Sequence, residues 1–283
     1  MMPKIYGSLA FLNTVWEEEP DALQEEEPKQ VQRAYERLTR YERESLLLRK
    51  RSEDYQVIEE VFDKPTLLVL NNLMNKGHIS ALHGVINAGK EARVYLGVRG
   101  KSENVAVKIY LTVASEFRKR LPYIEGDPRF PRTKKREIMT VWARKEYRNL
   151  QAAYRASVPV PEPYGVYRNI VIMEFIGTAN QPALLLAQTD VDEEDYHKLL
   201  QALKRLYRKS GLVHADLSEF NVFKWKRRLI LFDFGFAVDV THPRANEFLM
   251  RDISIINRFF SRRGVNTIPN AELLKEIMGR VNK

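Results

Sequence analysis

Two short stretches of the chain carry the residue types that transfer phosphoryl groups. Residues 214–221 read H-A-D-L-S-E-F-N, which places Asp216 shortly before Asn221, and D-F-G begins at Asp233. In phosphoryl transfer, one aspartate accepts the proton of the attacking hydroxyl, while an asparagine and a second aspartate hold Mg²⁺ on the nucleotide phosphates. We therefore predict that Asp216 is the catalytic base or positions a water, and that Asn221 and Asp233 bind Mg²⁺ or Mn²⁺.

The segment between the two motifs predicts how they come together. The mainly apolar residues 222–224 and the apolar residues 229–231 flank the turn 225–228, which carries three basic residues, a pattern typical of a β-hairpin. Such a hairpin returns Asn221 and Asp233 to the same end, where both can reach one metal ion. Either motif alone is weak evidence, but their order and spacing together favour phosphoryl-transfer chemistry.

A lysine and a glutamate could hold the phosphates of a nucleotide. The stretch V-A-V-K that ends at Lys108 matches the V-A-I-K strand of protein kinases, whose lysine reaches the α- and β-phosphates and pairs with a helix glutamate. The helix predicted over 136–156 offers Glu137 and Glu146 as partners. Glu146 lies at mid-helix, so we select it, and we predict Lys108 as a catalytic residue together with Asp216 and Asp233.

The turn predicted between the first two strands is a candidate phosphate cradle. It contains Ala88, Gly89 and Lys90, of which only Gly89 lets the backbone approach a phosphate closely. The turn lacks the G-x-G-x-x-G of ordinary protein kinases and also the Walker pattern, so by itself it is weak evidence.

A strand that runs into a hinge could hold the adenine base of ATP. By position, Met173 would border the adenine, and the carbonyl of Glu174 and the amide of Ile176 would bind it. A plain core strand would have the same side chains, so this interpretation stays open at the level of sequence.

Composition and charge restrict the class of protein. The chain has 283 residues, 44% of them hydrophobic, and no cysteine, which excludes disulfides and cysteine-ligated zinc. No apolar run approaches the roughly 18 residues that span a membrane, so we expect a cytoplasmic protein without a membrane partner. The net charge of +9 and a basic segment at 118–148 favour RNA or a ribonucleoprotein as partner, the alternative being a solvated basic face.

Periodicity predicts an α+β fold with two lobes, a sheet-rich first part and a helix-rich second part. We expect a charged extension over 1–50, an N-terminal lobe over 51–175 and a C-terminal lobe over 176–283. Predicted helices cover 30–52, 66–76, 136–156, 181–188, 193–210, 244–261 and 270–281, and predicted strands cover 78–86, 92–98, 104–110, 164–167 and 170–175.

The end of the sequence departs from ordinary protein kinases. Fifty residues follow Asp233, too few for an activation segment, an A-P-E motif and the helices that form a peptide platform. We therefore expect a bilobal, protein-kinase-like fold with a truncated C-terminal lobe.

Four stretches together resemble the RIO family of atypical protein kinases, closest to the type 1 branch with its archaeal members. They are the turn at 87–92, the W-A-x-K-E-x-R-N-L helix at 142–150, the loop at 214–221 and the segment H-P-x-A-x-E-F-L-x-R-D at 242–252. Residues 111–135 resemble the flexible loop of the family. The chain departs from the pattern at Asn87 and Ala88, where the family has Ser and Thr, and in having D-F-G.

The resemblance implies a serine/threonine kinase or ATPase that uses ATP and a divalent metal in maturation of the small ribosomal subunit. A precursor of that subunit, through its rRNA or its proteins, would be the partner. Two alternatives stay open: a small-molecule kinase of the aminoglycoside-phosphotransferase type, which shares H-x-D-x-x-x-x-N, and an ATP-binding assembly factor with little turnover.

Overall fold

The computed structural model describes residues 64–89, 91–111, 123, 138–179 and 181–279, and the backbone of 16–17. Several predictions lie outside these residues, and they concern the helix over 30–52, Lys90, Glu137 and most of the basic segment at 118–148.

The first part of the described chain forms two helices and a six-stranded sheet. Its elements are β1 (Trp16–Glu17), α1 (Lys64–Asn75), β2 (Ala81–Ala88), β3 (Ala92–Arg99), β4 (Glu103–Tyr110), α2 (Ile138–Arg155), β5 (Pro163–Tyr167) and β6 (Ile170–Glu174). The strand order is β1-β5-β6-β4-β3-β2, with β1 parallel to β5 and the other pairs antiparallel. Gly77, with φ of 75°, follows α1 in the left-handed conformation expected after a helix end.

Strand β4 presents different residues to the two sides of the sheet. Val105, Val107 and Ile109 belong to a core cluster with the leucines of α1, whereas Ala106 and Tyr110 belong to the cluster that contains α2. Because side chains alternate along a strand, Lys108 lies on the same side as Ala106 and Tyr110. The period of the strand therefore directs the predicted lysine towards α2.

The second part is mainly helical and contains the hairpin that was predicted between the two motifs. Its elements are β7 (Leu184–Leu185), a 3₁₀ turn (Leu186–Gln188), α3 (Glu193–Arg208), β8 (Leu212–Val213), β9 (Val222–Trp225), β10 (Arg228–Leu231), β11 (Val238–Asp239), α4 (Ala245–Arg262) and α5 (Asn270–Met278). Strands β9 and β10 pair through Val222 and Leu231, next to the two motifs. Lys226 and Arg227 form the turn with positive φ, as a tight hairpin turn requires.

One predicted element is wrong. The helix expected over 181–188 is instead β7 followed by a single 3₁₀ turn, because Leu184 and Leu185 pair with Lys224 and Phe223 of β9. A short apolar run does not distinguish a helix from a strand by its own periodicity, and here the distant partner strand decides between them. The other helices and strands that fall within the described residues form, with bounds shifted by a few positions.

The chain passes from D-F-G to α4 by a short connection. Residues 236–244 hold only the two-residue strand β11, which pairs with β8. Between Asp233 and Gly279, β11, α4 and α5 are the only helices and strands of the part of the chain that the structure describes. Among the described residues, none of the helices has the length and apolarity needed to cross a membrane.

Candidate active site

Lys108 stands at the centre of a buried network of charges. Its Nζ atom lies 2.7 Å from Oε1 of Glu146 and 2.9 Å from Oδ1 of Asp233. Burial alone would lower the pKa of Lys108, but the Asp233 and Glu146 carboxylates raise it well above its usual value. The lysine is therefore charged at neutral pH, and the Lys108–Glu146 contact that the sequence predicted is present.

Tyr110 completes the arrangement around Glu146. Its hydroxyl donates to Oε2 of Glu146, so that each carboxylate oxygen of this buried glutamate has a donor. Tyr110 lies two positions after Lys108 on β4 and on the same side of the sheet. Sequence reasoning did not select it, although the two-residue period of the strand placed it there.

The loop that carries Asp233 is held by helix α2. The fully buried Lys145 donates from Nζ to the carbonyls of Gly235, at 2.9 Å, and of Ala237. Asn149, one turn later, donates from Nδ2 to the carbonyls of Phe234 at 3.1 Å and of Ala237 at 2.8 Å. Both residues stood in the motif that carried the family resemblance, but their role was missed because a lysine on an amphipathic helix usually faces solvent.

Close packing explains the glycine of D-F-G. A Cβ atom on Gly235 would lie 2.9 Å from Nε1 of Trp142 and 3.3 Å from the hydroxyl of Tyr110. Since Tyr110 and Trp142 are both buried, neither can move aside easily. The loop therefore sits directly against the helix that carries Glu146.

The loop that carries Asp216 is held by helix α4. Asp252, fully buried, accepts from the backbone amides of Ala215 at 2.8 Å and Leu217 at 3.0 Å, one through each carboxylate oxygen. Arg251 donates to the carbonyl of Ala215. In the sequence, Arg251 and Asp252 were part of the segment that resembles the family, but no role was predicted for them.

Asp216 and Asn221 face each other across this loop. The Nδ2 atom of Asn221 donates to the backbone carbonyl of Asp216 at 2.7 Å and lies 3.3 Å from its Oδ2. Burial, and then the nearby charge of Asp233, raise the pKa of Asp216 to about 6, while Arg251 opposes this shift. The carboxyl is thereby a stronger base than an ordinary aspartate.

The hairpin brings the two motifs to the same end, as predicted. The backbone amide of Phe232 donates to the carbonyl of Asn221 at 3.1 Å. This bond places the chain before Asp233 beside residues 214–221, here called the catalytic loop after the predicted role of Asp216. His214 makes a second link, because its Nε2 donates to the carbonyl of Phe232 at 3.0 Å and its ring packs on Phe234. Burial lowers the pKa of His214 to about 4, so this histidine is neutral and structural.

The candidate phosphate turn is tight. The amide of Gly89 donates to the carbonyl of Ala92 at 3.1 Å, and a Cβ atom on Gly89 would lie 3.0 Å from the same carbonyl. Ala88 pairs with Arg93 in the β2–β3 ladder. These contacts explain why glycine occupies the turn, and the binding of phosphate by residues 88–90 stays a prediction.

The predicted adenine hinge follows β6. Met173 is opposite Ala106 of β4 and belongs with it to the cluster on the Lys108 side of the sheet. The amide of Glu174 donates to the carbonyl of Glu162 at 2.8 Å, and the carbonyl of Ile176 accepts from Ala183 at 2.8 Å. The hinge is thus held from both sides, and the adenine contacts of Met173, Glu174 and Ile176 stay predictions.

Comparison with known proteins identifies the family of this chain. The sequence matches the family described as RIO domain over residues 93–273. It is 41% identical over 221 residues to the RIO-type serine/threonine-protein kinase Rio1 of Haloferax volcanii, covering 77% of this chain and 76% of the relative. It is 35% identical over 230 residues to the human serine/threonine-protein kinase RIO1, where it covers 78% of this chain but only 40% of the human protein.

Solved structures show the same fold. The Rio2 kinase from Chaetomium thermophilum superposes with a TM-score of 0.58 at 26% identity, over 76% of this chain and 68% of that chain. A second Rio2 structure from the same organism, a complex with ADP, Mg²⁺ and phosphoaspartate, gives 0.57 at 24% identity, over 77% of this chain and 67% of that chain. The predicted protein-kinase-like α+β fold is therefore confirmed.

Proposed function

Because the chain belongs to the RIO family of atypical serine/threonine protein kinases, on its type 1 branch, we propose that this site transfers the γ-phosphoryl group of ATP with a divalent metal. One observation carries the proposal: Lys108 contacts Glu146 and Asp233 at once, so the lysine proposed to hold phosphate lies beside a carboxylate proposed to bind the metal. The family assignment also argues against the small-molecule kinase alternative.

The side chains at the site fit Mg²⁺ or Mn²⁺ held jointly by protein and phosphates. Asp233 offers a carboxylate, and Asn221 offers its amide oxygen because its nitrogen already donates to Asp216. Within the described residues there is no group of three or more His, Cys, Asp or Glu that could hold a metal alone. A site of this kind suits Mg²⁺, which takes one or two protein ligands beside substrate phosphates. When bound, the ion would neutralise charge on the phosphates.

The chain's own residues divide the remaining work. Lys108, kept charged by its two carboxylates, would hold the nucleotide phosphates, and Glu146 would keep the lysine in position. Asp216 would take the proton from the attacking oxygen, and its pKa of about 6 suits a base that works near neutral pH. Met173 and the backbone of Glu174 and Ile176 would hold the adenine.

We propose further that free peptides are poor acceptors. Residues 236–244 lead almost directly from D-F-G into α4 and leave no room for an activation segment that would align a peptide. Good alignment lowers a barrier by about 7 to 11 kcal/mol in favourable cases. Without it, transfer to water or to the protein's own hydroxyl groups should compete, so that turnover in isolation is slow and includes ATP hydrolysis.

The proposed partner is a precursor of the small ribosomal subunit, engaged through its rRNA or its proteins. The net charge of +9 supports a polyanionic partner, and the family resemblance suggests this one. Contact with the particle would raise turnover. The ATP-bound and product-bound states of the protein would bind the particle with different affinities.

The test is incubation with γ-labelled ATP and Mg²⁺, with and without small-subunit particles, followed by separation of phosphoprotein from free phosphate. Hydroxylamine treatment then distinguishes label on an aspartate, as in the Rio2 relative, from label on serine or threonine. We expect slow turnover alone and faster turnover with particles. Rapid phosphorylation of a generic peptide without any response to particles would contradict the proposal, and binding of ATP without turnover in either condition would favour the assembly-factor alternative.

Substitutions at the site make the test specific. Asp216→Asn should keep nucleotide affinity and lose about 100-fold or more of the turnover, because it removes the base. Asp233→Asn should also weaken metal-dependent nucleotide binding. The control is Asp190→Asn, at an exposed position outside the site, which should behave like the parent. An Asp216→Asn variant that turns over ATP at the parent rate would exclude the assigned role.

A further inference from the structure

A cavity of about 510 Å³ lies beside the catalytic loop, outside the nucleotide site described above. The lining residues come from the 3₁₀ turn, the catalytic loop and α4, and they are Ala187, Gln188, Glu219, Phe220, Ile255, Arg258, Phe259, Arg262 and Arg263. The volume is in the range of cavities that hold small organic ligands or a single nucleotide.

One face of α4 forms a wall of this cavity. Ile255, Arg258, Phe259 and Arg262 follow the spacing of residues that share one side of a helix. Ile255 and Phe259 supply apolar surface, and the two arginines supply positive charge. The wall is therefore both apolar and cationic, which does not suit a purely apolar ligand.

Hydrogen bonds connect the walls of the cavity to one another. Arg263 donates to the carbonyls of Ala187 at 3.0 Å and Thr189 at 3.2 Å, which ties the end of α4 to the 3₁₀ turn. The amide of Ala187 donates to the carbonyl of Glu219 at 3.1 Å, which ties that turn to the catalytic loop. Arg263 is thus occupied in holding the walls together.

Two arginines remain available for a ligand. Neither Arg258 nor Arg262 makes an ion pair or a side-chain hydrogen bond with any residue in the described part of the chain, and both are exposed. Glu219 is the only acidic residue among the lining residues, against three arginines. The charge of the cavity therefore suits an anion.

Phe220 adds an aromatic surface at the rim. It is 60% exposed, the highest exposure among the large hydrophobic residues that the structure describes. Its loop is held by the amide of Phe220, 3.3 Å from Oγ of Ser218, and by the amide of Asn221, which donates to the carbonyl of Ser218. An exposed ring on a held loop loses little freedom when a flat group stacks on it.

We propose that this cavity binds single-stranded RNA, with one base stacked on Phe220 and the flanking phosphates on Arg258 and Arg262. Aromatic stacking combined with arginine–phosphate contacts is how proteins bind single strands, and arginine suits phosphate because its planar donors match the oxygens. An acidic peptide would use the arginines but would leave Phe220 without a matching flat partner. The inference deepens the proposed function and rests on it for the nature of the partner.

The position of the cavity gives the contact a consequence. Glu219 and Phe220 lie between Asp216 and Asn221 on one loop. A strand bound there would touch the loop that carries the proposed base, which provides a route by which RNA could alter turnover.

The experiment measures binding of a fluorescein-labelled ten-nucleotide oligouridylate by anisotropy at several salt concentrations. The variants are Arg258→Gln/Arg262→Gln, Phe220→Ser and Phe220→Trp. The matched control is Arg227→Gln/Arg228→Gln, which removes the same charge from the exposed β9–β10 turn.

We expect the double variant in the cavity to bind at least tenfold more weakly and to lower the salt slope by about 1.4, the amount for two phosphate contacts to a single strand. Phe220→Ser should weaken binding by roughly 5- to 150-fold, the range for loss of one stacked base, and Phe220→Trp should retain it. The control should change affinity less than twofold. A photoreactive 4-thiouridine in the strand should crosslink to the Phe220 loop.

Two results would overturn the inference. The first is that the cavity variants bind the strand as tightly as the parent does. The second is that a poly-glutamate peptide binds more tightly than RNA, and that its binding, unlike that of RNA, depends on Phe220 and Arg258. Basal ATP turnover and thermal melting of the same variants are measured in parallel. Parent-like turnover of the Arg258→Gln/Arg262→Gln variant with lost RNA binding supports the cavity, whereas absent turnover in the parent indicates failure of the proposed function instead.

Discussion

The two loops of the candidate active site are each held by one buried side chain, but the hydrogen bonds run in opposite directions. In each loop a non-glycine residue has a left-handed backbone with φ of 63°, Ala215 before the proposed base and Asp233 itself. Helix α4 holds the first loop with the carboxyl group of Asp252, which accepts from backbone amides. Helix α2 holds the second with the cation Lys145, which donates to backbone carbonyls.

The difference lies in what else each helix carries. Helix α2 also carries Glu146, so the Lys108–Glu146 pair and the loop that carries Asp233 are attached to one rigid element and should move together. Helix α4 instead carries Arg251, which binds the catalytic loop and lowers the pKa of the proposed base. A strained backbone conformation persists only where the surrounding contacts hold it in place. Here the buried side chains of Lys145 and Asp252 provide those contacts.

The largest effect should come from Lys145→Met, which keeps the volume and removes the cation. It would leave the buried carbonyls of Gly235 and Ala237 with fewer hydrogen-bond donors. We expect this loss to lower the free energy of unfolding by about 3 kcal/mol. Metal-dependent nucleotide affinity should fall as well, because Asp233 loses its support. Urea unfolding and nucleotide titration with and without Mg²⁺ measure both. Arg155→Met, at the exposed end of the same helix, is the control, and equal losses in the two variants would show that Lys145 does not support the loop that carries Asp233.

Asp252→Asn should have the next effect, because an amide cannot accept from both Ala215 and Leu217 through its two atoms. Burial raises the pKa of Asp252 to about 7, although the two amides oppose the shift. A raised carboxyl pKa contributes stability below its unfolded value near 4 that is lost as pH rises through about 7. The free energy of unfolding, measured between pH 4 and 8, should decrease with rising pH in the parent by the contribution of Asp252, and this contribution should be absent in the variant. The same pH dependence in both proteins would place its origin elsewhere.

Arg251→Gln should act on chemistry more than on stability. Because the arginine lowers the pKa of Asp216, its removal should raise that pKa above about 6. The base must be deprotonated to work, so the acid limb of the kcat/KM profile should shift to higher pH. Arg244→Gln, an exposed residue at the start of α4 that pairs with Glu247, serves as control. An unshifted limb with normal folding would refute the coupling.

The smallest effect is expected for two alanine-to-glycine substitutions, which test whether the left-handed backbone at Ala215 is strained. Ala215 and Ala237 are both fully buried, but only Ala215 has positive φ. Left-handed backbone costs a non-glycine residue about 1 to 2 kcal/mol, so Ala215→Gly should be neutral or stabilising while Ala237→Gly should destabilise by about 1 kcal/mol. Denaturant unfolding of the two variants gives the comparison. Equal destabilisation by both would mean that the left-handed conformation at Ala215 carries no strain.

Local pattern was enough to predict the main elements and several of the contacts among the candidate site residues. The match of V-A-V-K to the kinase strand selected Lys108, and its mid-helix position selected Glu146, which contacts that lysine in the structure. The hairpin between Asn221 and Asp233 followed from two short, mainly apolar runs around a turn with three basic residues. These features depend on neighbours within a few positions, which a sequence displays directly.

Tertiary structure decided whatever depends on a distant partner. The run at Leu184–Leu185 became a strand because β9 pairs with it. Lys145 and Asp252 looked like ordinary charged helix residues, and only packing shows that each is buried against the backbone of a loop far away in sequence. Burial of a charge is permitted only where partners compensate it. Those partners are main-chain amides and carbonyls, which every residue has and which no pattern of side chains reveals.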